Sequence, residues 1–249
     1  LYGKPGRLAW ENPLEGRGGK GIRRVKIKVS YMTEMIATRQ AYGDALVEFG
    51  ENNKAIVVLD ADLSKSTTTA KFGKKYPDRF FNMGIAEANM IGTAAGLATC
   101  GKIPFVSSFS IFATGRAWEQ IRNTVCYSGV NVRIVATHSG VSVGPDGASH
   151  QCIEDLSLMR TIPTMTVIEP CDAVETRKSI MAAIDYKGPL YIRLGRAAVP
   201  VLTKKEDTFV IGKANVIRTG DDVAIIACGA LVAHALTAAD ILQKEGIQA

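Results

Sequence analysis

The chain has 249 residues, 47% hydrophobic and 22% charged, enough to bury a full core in one large domain or two smaller ones. No apolar run reaches the roughly 18–20 residues that span a bilayer, and the N-terminus lacks the charged-then-apolar order of a signal peptide, so a cytoplasmic location without membrane contact is the expectation. The net charge of +6 resides in the first thirty residues, where Lys4, Arg7, Arg17, Lys20, Arg23, Arg24, Lys26 and Lys28 are offset only by Glu11 and Glu15; the remainder is balanced, which argues against nucleic-acid binding by the fold itself.

In chain order, residues 1–30 read as a basic leader or linker, with Val25-Lys26-Ile27-Lys28-Val29 alternating as a half-buried edge strand does. A phosphate-seeking arm is the other reading of this segment. From residue 31 the chain alternates amphipathic helices with short apolar runs. A helix is expected from Thr33, its N-cap, to Gly50. Strands follow at Ala55–Leu59, Phe80–Met83, Ile103–Val106, Val132–Ala136, Met165–Ile168 and Leu190–Arg193, with helices near 86–99, 111–127, 151–160 and 172–185. Near-continuous apolar strands separated by helices define an α/β fold with a mainly parallel sheet flanked by helices. This unit spans 31–199 and is followed by a polar linker at 200–212. A strand at Val223–Ala227 and a helix from Ala230 to Glu245 then begin a second α/β unit over 213–249, too short to close its own core and so truncated or completed elsewhere. Cys100, Cys126, Cys152, Cys171 and Cys228 are odd in number and widely spaced, the pattern of reduced, mostly buried thiols rather than of a disulfide framework or metal site.

Ligands of open α/β sheets sit at the carboxyl ends of the strands, and polar clusters recur there. The successive strand ends carry Asp60-Ala61-Asp62-Leu63-Ser64-Lys65-Ser66, then Gly84-Ile85-Ala86-Glu87, then Ser107-Ser108-Phe109. Further on come His138 with Gly144-Pro145-Asp146-Gly147-Ala148-Ser149-His150, and finally Gly195-Arg196. Each residue alone has an ordinary explanation. Glu87 in a first helical turn complements the helix dipole, Phe109 and Phe112 suit a core, His138 and His150 suit structural roles, Asp146 suits a turn, and Arg39 and Arg196 suit solvent. Together they form one lip of an active site.

Five stretches carry a family resemblance: Ala37-Thr38-Arg39, Asp60-Ala61-Asp62-Leu63, Gly84-Ile85-Ala86-Glu87-Ala88-Asn89-Met90, Ser108-Phe109-Ser110-Ile111-Phe112 and Gly144-Pro145-Asp146-Gly147-Ala148-Ser149-His150-Gln151. In this order the chain resembles the pyrimidine-binding domain of transketolases from about Thr33 to Val199, and from about Asp221 the start of their C-terminal domain. The resemblance implies a thiamine-diphosphate enzyme that transfers a two-carbon ketol unit between phosphorylated sugars, as in the pentose phosphate pathway. Glu87 would hydrogen-bond the aminopyrimidine ring nitrogen, a form of acid–base help worth roughly 10²–10⁴ in rate. Phe109, with Phe112 beside it, would stack on that ring, and Asp62 would lie close to the cofactor. Arg39, Ser66, His138 and Arg196 would hold the substrate phosphate, Asp146 a hydroxyl beside the reacting carbon, and His150, as a second catalytic residue, the ketose oxygen.

Deoxyxylulose-phosphate synthases and the β subunits of 2-oxo acid dehydrogenases share this domain, but the residues corresponding to Arg39 and His138 favour a transketolase. Ser139, Gly115 and Pro145 depart from many transketolases, which carry an acid, an aromatic and Glu there. The Gly-Asp-Gly element, followed by an Asn, that holds the diphosphate and a divalent metal, magnesium or calcium, is missing from this sequence. A partner half bearing it, in a dimeric or tetrameric assembly, is therefore implied, with the isolated chain inactive. A non-catalytic homologue serving as a binding subunit is the rival reading.

Overall fold

In the computed structural model, which describes residues 34–249, the chain begins with a short strand, β1 (Met35–Ala37), and turns directly into α1 (Thr38–Asn52). The expected helix start at Thr33 is therefore too early: Met35–Ala37 are extended because they pair antiparallel with Ala198–Pro200. Thr33 itself and the expected Val25–Val29 strand lie outside the described residues.

The elements that follow are β2 (Ile56–Asp60), α2 (Ser64–Thr67), α3 (Ala70–Lys75), β3 (Phe80–Asn82), α4 (Glu87–Thr99) and β4 (Ile103–Phe109). Wide helical turns occupy Ile111–Arg116 and Ile121–Tyr127, joined through α5 (Trp118–Gln120). Such π-type turns are uncommon and concentrate at functional sites. Then come β5 (Arg133–Thr137), α6 (Asp155–Arg160), β6 (Thr166–Ile168), α7 (Ala173–Asp185), β7 (Leu190–Arg193), β8 (Ala198–Pro200) and α8 (Leu231–Lys244).

Six strands form one sheet in the order β3-β2-β4-β5-β7-β6, every pair parallel, while β1 and β8 make a separate ribbon. Both faces are covered, as parallel sheets require. On one face Met90, Ile91 and Ala94 of α4 pack with Ile121, Val125 and Met159 against Val106 and Ile134. On the other, Tyr42 and Leu46 of α1, Phe72 of α3 and Ile180 and Ala183 of α7 pack against Ile56, Val58 and Ile192. From β2 the chain passes first to β3 on one side and then to β4 on the other. The crevice at the carboxyl ends of β2 and β4 is thus a topological switch point, where ligands of such sheets bind.

Arg133 is fully buried in β5, and its guanidinium donates to the carbonyls of Ala183, Tyr186 and Gly188, satisfying the end of α7 and the turn before β7. Asp172 caps α7 by accepting from the Glu175 amide at 2.8 Å, and it also accepts from the Leu202 and Thr203 amides. One buried carboxylate therefore starts a helix and anchors the segment after β8.

Two expected elements are corrected. The helix near 151–160 starts only at Asp155, because Cys152 exchanges both backbone hydrogen bonds with Gly140 and is held extended. Val223–Ala227 forms no strand. The amides of Asp222 and Val223 donate to the Gln248 carbonyl, no strand lies alongside among the described residues, and Ile226 is 95% exposed. No helix among the described residues is long and apolar enough to cross a membrane.

Candidate active site

Glu87 opens α4 at the carboxyl end of β3 and is only 3% exposed. The approach to it is built from Asn82, whose side-chain oxygen accepts from the Gly84 amide at 3.0 Å and whose amide nitrogen donates to Asp62 Oδ1 at 2.9 Å. Gly84 has φ +68°, a conformation that glycine adopts without strain, and this aims the chain into the helix. No side chain caps α4, so its first amides have no side-chain acceptor. Glu87 Oε1 accepts from Arg116 Nη1 at 3.0 Å, and Oε2 has no partner among the described residues.

Through Arg116, Glu87 is linked to a set of aromatic rings. Phe109, the last residue of β4, stacks on His138 with ring centroids 3.8 Å apart and runs nearly parallel to Phe112 at 6.0 Å. His150 meets both phenyl rings edge-on, at 6.1 Å from Phe109 and 5.3 Å from Phe112. The Arg116 guanidinium lies over the Phe112 ring, 4.0 Å from its centroid. One face of Phe109 is thus taken by imidazole and one face of Phe112 by a cation.

The third group is cationic. Arg39, in the first turn of α1, donates through Nη1 to the Ser66 carbonyl at 2.6 Å and through Nε to the Arg196 carbonyl at 3.3 Å. These bonds fix its plane without neutralising it. Arg196 lies against Gly144 so closely that a Cβ there would fall 2.3 Å from Nη1, so the Gly-rich loop packs its bare backbone onto the guanidinium. Neither Arg39 nor Arg196 forms an ion pair among the described residues. His138, in a left-handed conformation at φ +59° and with Nδ1 2.9 Å from the Thr137 hydroxyl, completes the cluster. Burial, then the charges of Arg39 and Arg196, lower the His138 pKa to about 4, against the weaker opposing pull of Asp146. Burial and the nearby Arg196 charge likewise lower the Arg39 pKa. A neutral imidazole and two guanidiniums without an ion pair among the described residues thus share one strand-end crevice, an arrangement chemically suited to an anion.

The fold thus brings together Phe109, Phe112, His138 and His150 in one cluster, to which Glu87 is linked through Arg116, and Arg39, Arg196 and His138 in an adjoining one. Asp146 sits exposed in the loop closed by the Gly140–Cys152 bridge. Asp62 is exposed and tied to Asn82, and Ser66 contributes its carbonyl to Arg39. Among the described residues no three His, Cys, Asp or Glu side chains converge as a metal site.

Three contributions escape the sequence reading. Arg116 contacts both Glu87 and Phe112; its only sequence signal is the four-residue helical spacing from Phe112. Asp60, fully buried, accepts from Thr67 and Thr69 hydroxyls at 2.7 and 2.8 Å and from the Leu63 amide at 2.6 Å, which ties down the turn that presents Ser66. Burial raises its pKa, and those hydrogen bonds oppose the rise. Asp155 Oδ2, also fully buried, accepts from Tyr191 Oη at 2.8 Å and Arg193 Nε at 2.7 Å, and Tyr191 in turn reaches Ser110, next to Phe109.

A fully parallel sheet with a buried acid, stacked aromatics and paired guanidiniums at its strand ends has the layout of a ligand-binding α/β domain. Residues 34–201 match the family described as transketolase, pyrimidine binding domain, and residues 212–249 match transketolase, C-terminal domain. The chain belongs to the transketolase family. It is 54% identical over 213 residues to a putative transketolase C-terminal section of Methanocaldococcus jannaschii, covering 85% of this chain and 67% of that protein. It is 43% identical to a 6-deoxy-6-sulfo-D-fructose transketolase subunit of Clostridium sp., covering 85% and 66%, and 40% identical to human transketolase, covering 91% and 36%. Among solved structures it is similar to a split-gene transketolase described as an inactive β4 tetramer, at 55% identity and TM-score 0.79, covering 86% of this chain and 70% of that one. The chain therefore spans about two thirds of the sections and subunits it matches and about a third of human transketolase.

Proposed function

We propose that this chain is the pyrimidine-binding half of a thiamine-diphosphate-dependent transketolase, completed by a partner half that holds the diphosphate and its divalent metal. The observation that carries the reading is Glu87: a buried carboxylate with one oxygen unpartnered among the described residues, at the start of α4 and linked through Arg116 to the Phe112 ring, which lies nearly parallel to Phe109. The donor set fits an aminopyrimidine, which needs a proton-holding acid at a ring nitrogen and flat apolar walls. When bound, thiamine diphosphate supplies a carbon nucleophile able to accept the ketol unit. Glu87 holds or releases a proton at the pyrimidine nitrogen, a role worth roughly 10²–10⁴ in rate. Phe109 and Phe112 wall the ring and exclude water, and Asp62 stands at the outer edge of the pocket. His150, edge-on to both rings, reaches the ketose oxygen, and Asp146 binds the neighbouring hydroxyl.

Arg39, Arg196 and His138, with Ser66 beside them, take the anionic end of the sugar. Their uncompensated charge supports a phosphorylated substrate. Relatives named for 6-deoxy-6-sulfo-D-fructose and apulose 4-phosphate indicate that the anion and the carbon skeleton vary within the family. The division into a pyrimidine-binding unit to residue 199, a linker over 200–212 and a C-terminal unit from 213 belongs to the same reading.

The test is to co-express the chain with a polypeptide bearing the diphosphate motif and to assay ketol transfer from xylulose 5-phosphate to ribose 5-phosphate, with 6-deoxy-6-sulfofructose as a second donor. Activity is expected only with both polypeptides, thiamine diphosphate and magnesium or calcium. Full activity of this chain without a partner would sink the split assignment. A reconstituted assembly inactive on both donors would sink the transketolase reading.

A further inference from the structure

Arg116 engages two of the groups on which cofactor recognition depends. Its Nη1 donates to Glu87 Oε1 at 3.0 Å, while its guanidinium plane lies 4.0 Å from the Phe112 centroid. The pair is asymmetric: the Glu87 side chain is 4% exposed, whereas that of Arg116 is 50% exposed. Chemically, a guanidinium is a flat, delocalised, N–H-donating group that stacks on aromatic faces and hydrogen-bonds a carboxylate. An aminopyrimidine is a flat, delocalised ring with an amino group and, when protonated at its ring nitrogen, also presents N–H to a carboxylate. The two satisfy the same acid and the same kind of ring face.

The surroundings favour exchange over a permanent structural pair. Arg116 closes a wide turn, Ile111–Arg116, next to Gly115, and its side chain is half in water, so withdrawing it leaves a solvated cation and frees the Phe112 face for another flat group. Glu87 cannot move in the same way, because it is buried at the start of α4. Without a planar partner, its carboxylate would lie under the protein surface with its desolvation uncompensated.

We propose that Arg116 is a displaceable stand-in for the cofactor's aminopyrimidine: it occupies Glu87 and the Phe112 face in the ligand-free protein and swings to solvent when the ring is admitted. This rests on the reading of Glu87 as the pyrimidine-binding acid. It makes Arg116 a determinant of cofactor affinity and of the rate of loading. Apparent affinity falls by the fraction of molecules in the open state, so a stand-in populated about ten to one weakens binding about tenfold.

The experiment uses the chain assembled with its diphosphate-binding partner and titrates thiamine diphosphate by calorimetry, with stopped-flow fluorescence for the loading rate. Arg116→Met keeps length but removes charge and donors; Arg116→Lys keeps charge but loses the plane. The expected result is about tenfold tighter binding and faster loading for Arg116→Met, with Arg116→Lys between it and the wild type. Equal or weaker binding by Arg116→Met, with wild-type binding intact, overturns the stand-in and leaves the cofactor reading standing. Absence of binding by both assemblies overturns both. A correctly folded Arg116→Met assembly, checked by its thermal midpoint, that binds where the wild type does not supports the stand-in most strongly.

Discussion

Acidification provides a direct probe of the anion pocket through His138. Its pKa is lowered to about 4 by burial and by the charges of Arg39 and Arg196, whereas in the unfolded chain it stands at the ordinary histidine value of 6.5. Between these values the unfolded chain binds a proton that the folded chain does not, so stability rises with pH across that window and is lost as pH falls through it. Each pH unit of that window is worth about 1.4 kcal/mol, and the part lost between pH 7 and pH 5 comes to about 2 kcal/mol. The comparison is with His138→Asn, because asparagine tolerates the left-handed backbone at φ +59° and does not titrate. Asp60, whose raised pKa acts in the opposite sense, titrates equally in both proteins and cancels. Urea unfolding at pH 7, 6 and 5 should show the wild type losing about 2 kcal/mol more than the variant. Parallel pH profiles, or an imidazole proton resonance titrating near the ordinary histidine value, would refute the argument that the guanidiniums and burial hold His138 neutral.

Glu87→Gln keeps shape but removes the acid; in the reconstituted assembly ketol transfer should fall by about 10²–10⁴, and an unchanged rate would remove Glu87 from the proton path. Arg133→Met strands the carbonyls of Ala183, Tyr186 and Gly188, and urea unfolding should show a loss of about 3 kcal/mol. Gly144→Ala puts a methyl 2.3 Å from Arg196 Nη1 at a residue with φ +86°. The expected result is a raised KM for phosphorylated donors with kcat retained, together with a stability loss of about 1 kcal/mol.

Elements with a local signature were legible in the sequence. Leu190–Arg193 and the helix over Ala173–Asp185 follow from apolar runs and a capping Asp172. What escaped depends on partners distant in sequence. The ribbon of Met35–Ala37 with Ala198–Pro200 joins the two ends of the domain, and three residues carry too little pattern to announce a strand. The short helices after Leu63 are held by Thr67 and Thr69 hydroxyls converging on a buried Asp60, so their stability comes from the tertiary carboxylate rather than from helix propensity. Val223–Ala227 illustrates the converse: an apolar run with three β-branched residues makes no strand when no strand among the described residues lies alongside to pair with it.

The site divides along the same line. Glu87, Phe109, His138 and Arg196 were legible because each follows a strand, and a parallel sheet brings all strand ends to one edge. The bonds that set their chemistry were not. Arg39 reaches Ser66 and Arg196 across 27 and 157 residues, and both acceptors are backbone carbonyls, which no residue type advertises. Arg116 reaches Glu87 across 29 residues. Strand ends therefore tell which groups meet, while hydrogen-bond partners tell which are already satisfied. Among the described residues Glu87 Oε2, Ser108 Oγ and the buried Asp155 Oδ1 are side-chain oxygens left without a hydrogen-bond partner, and Arg39 and Arg196 are cations without an ion pair. A proton donor placed at Glu87 and an anion placed at Arg39 and Arg196 would satisfy those three residues, which is what the proposed cofactor and phosphorylated sugar would offer between them.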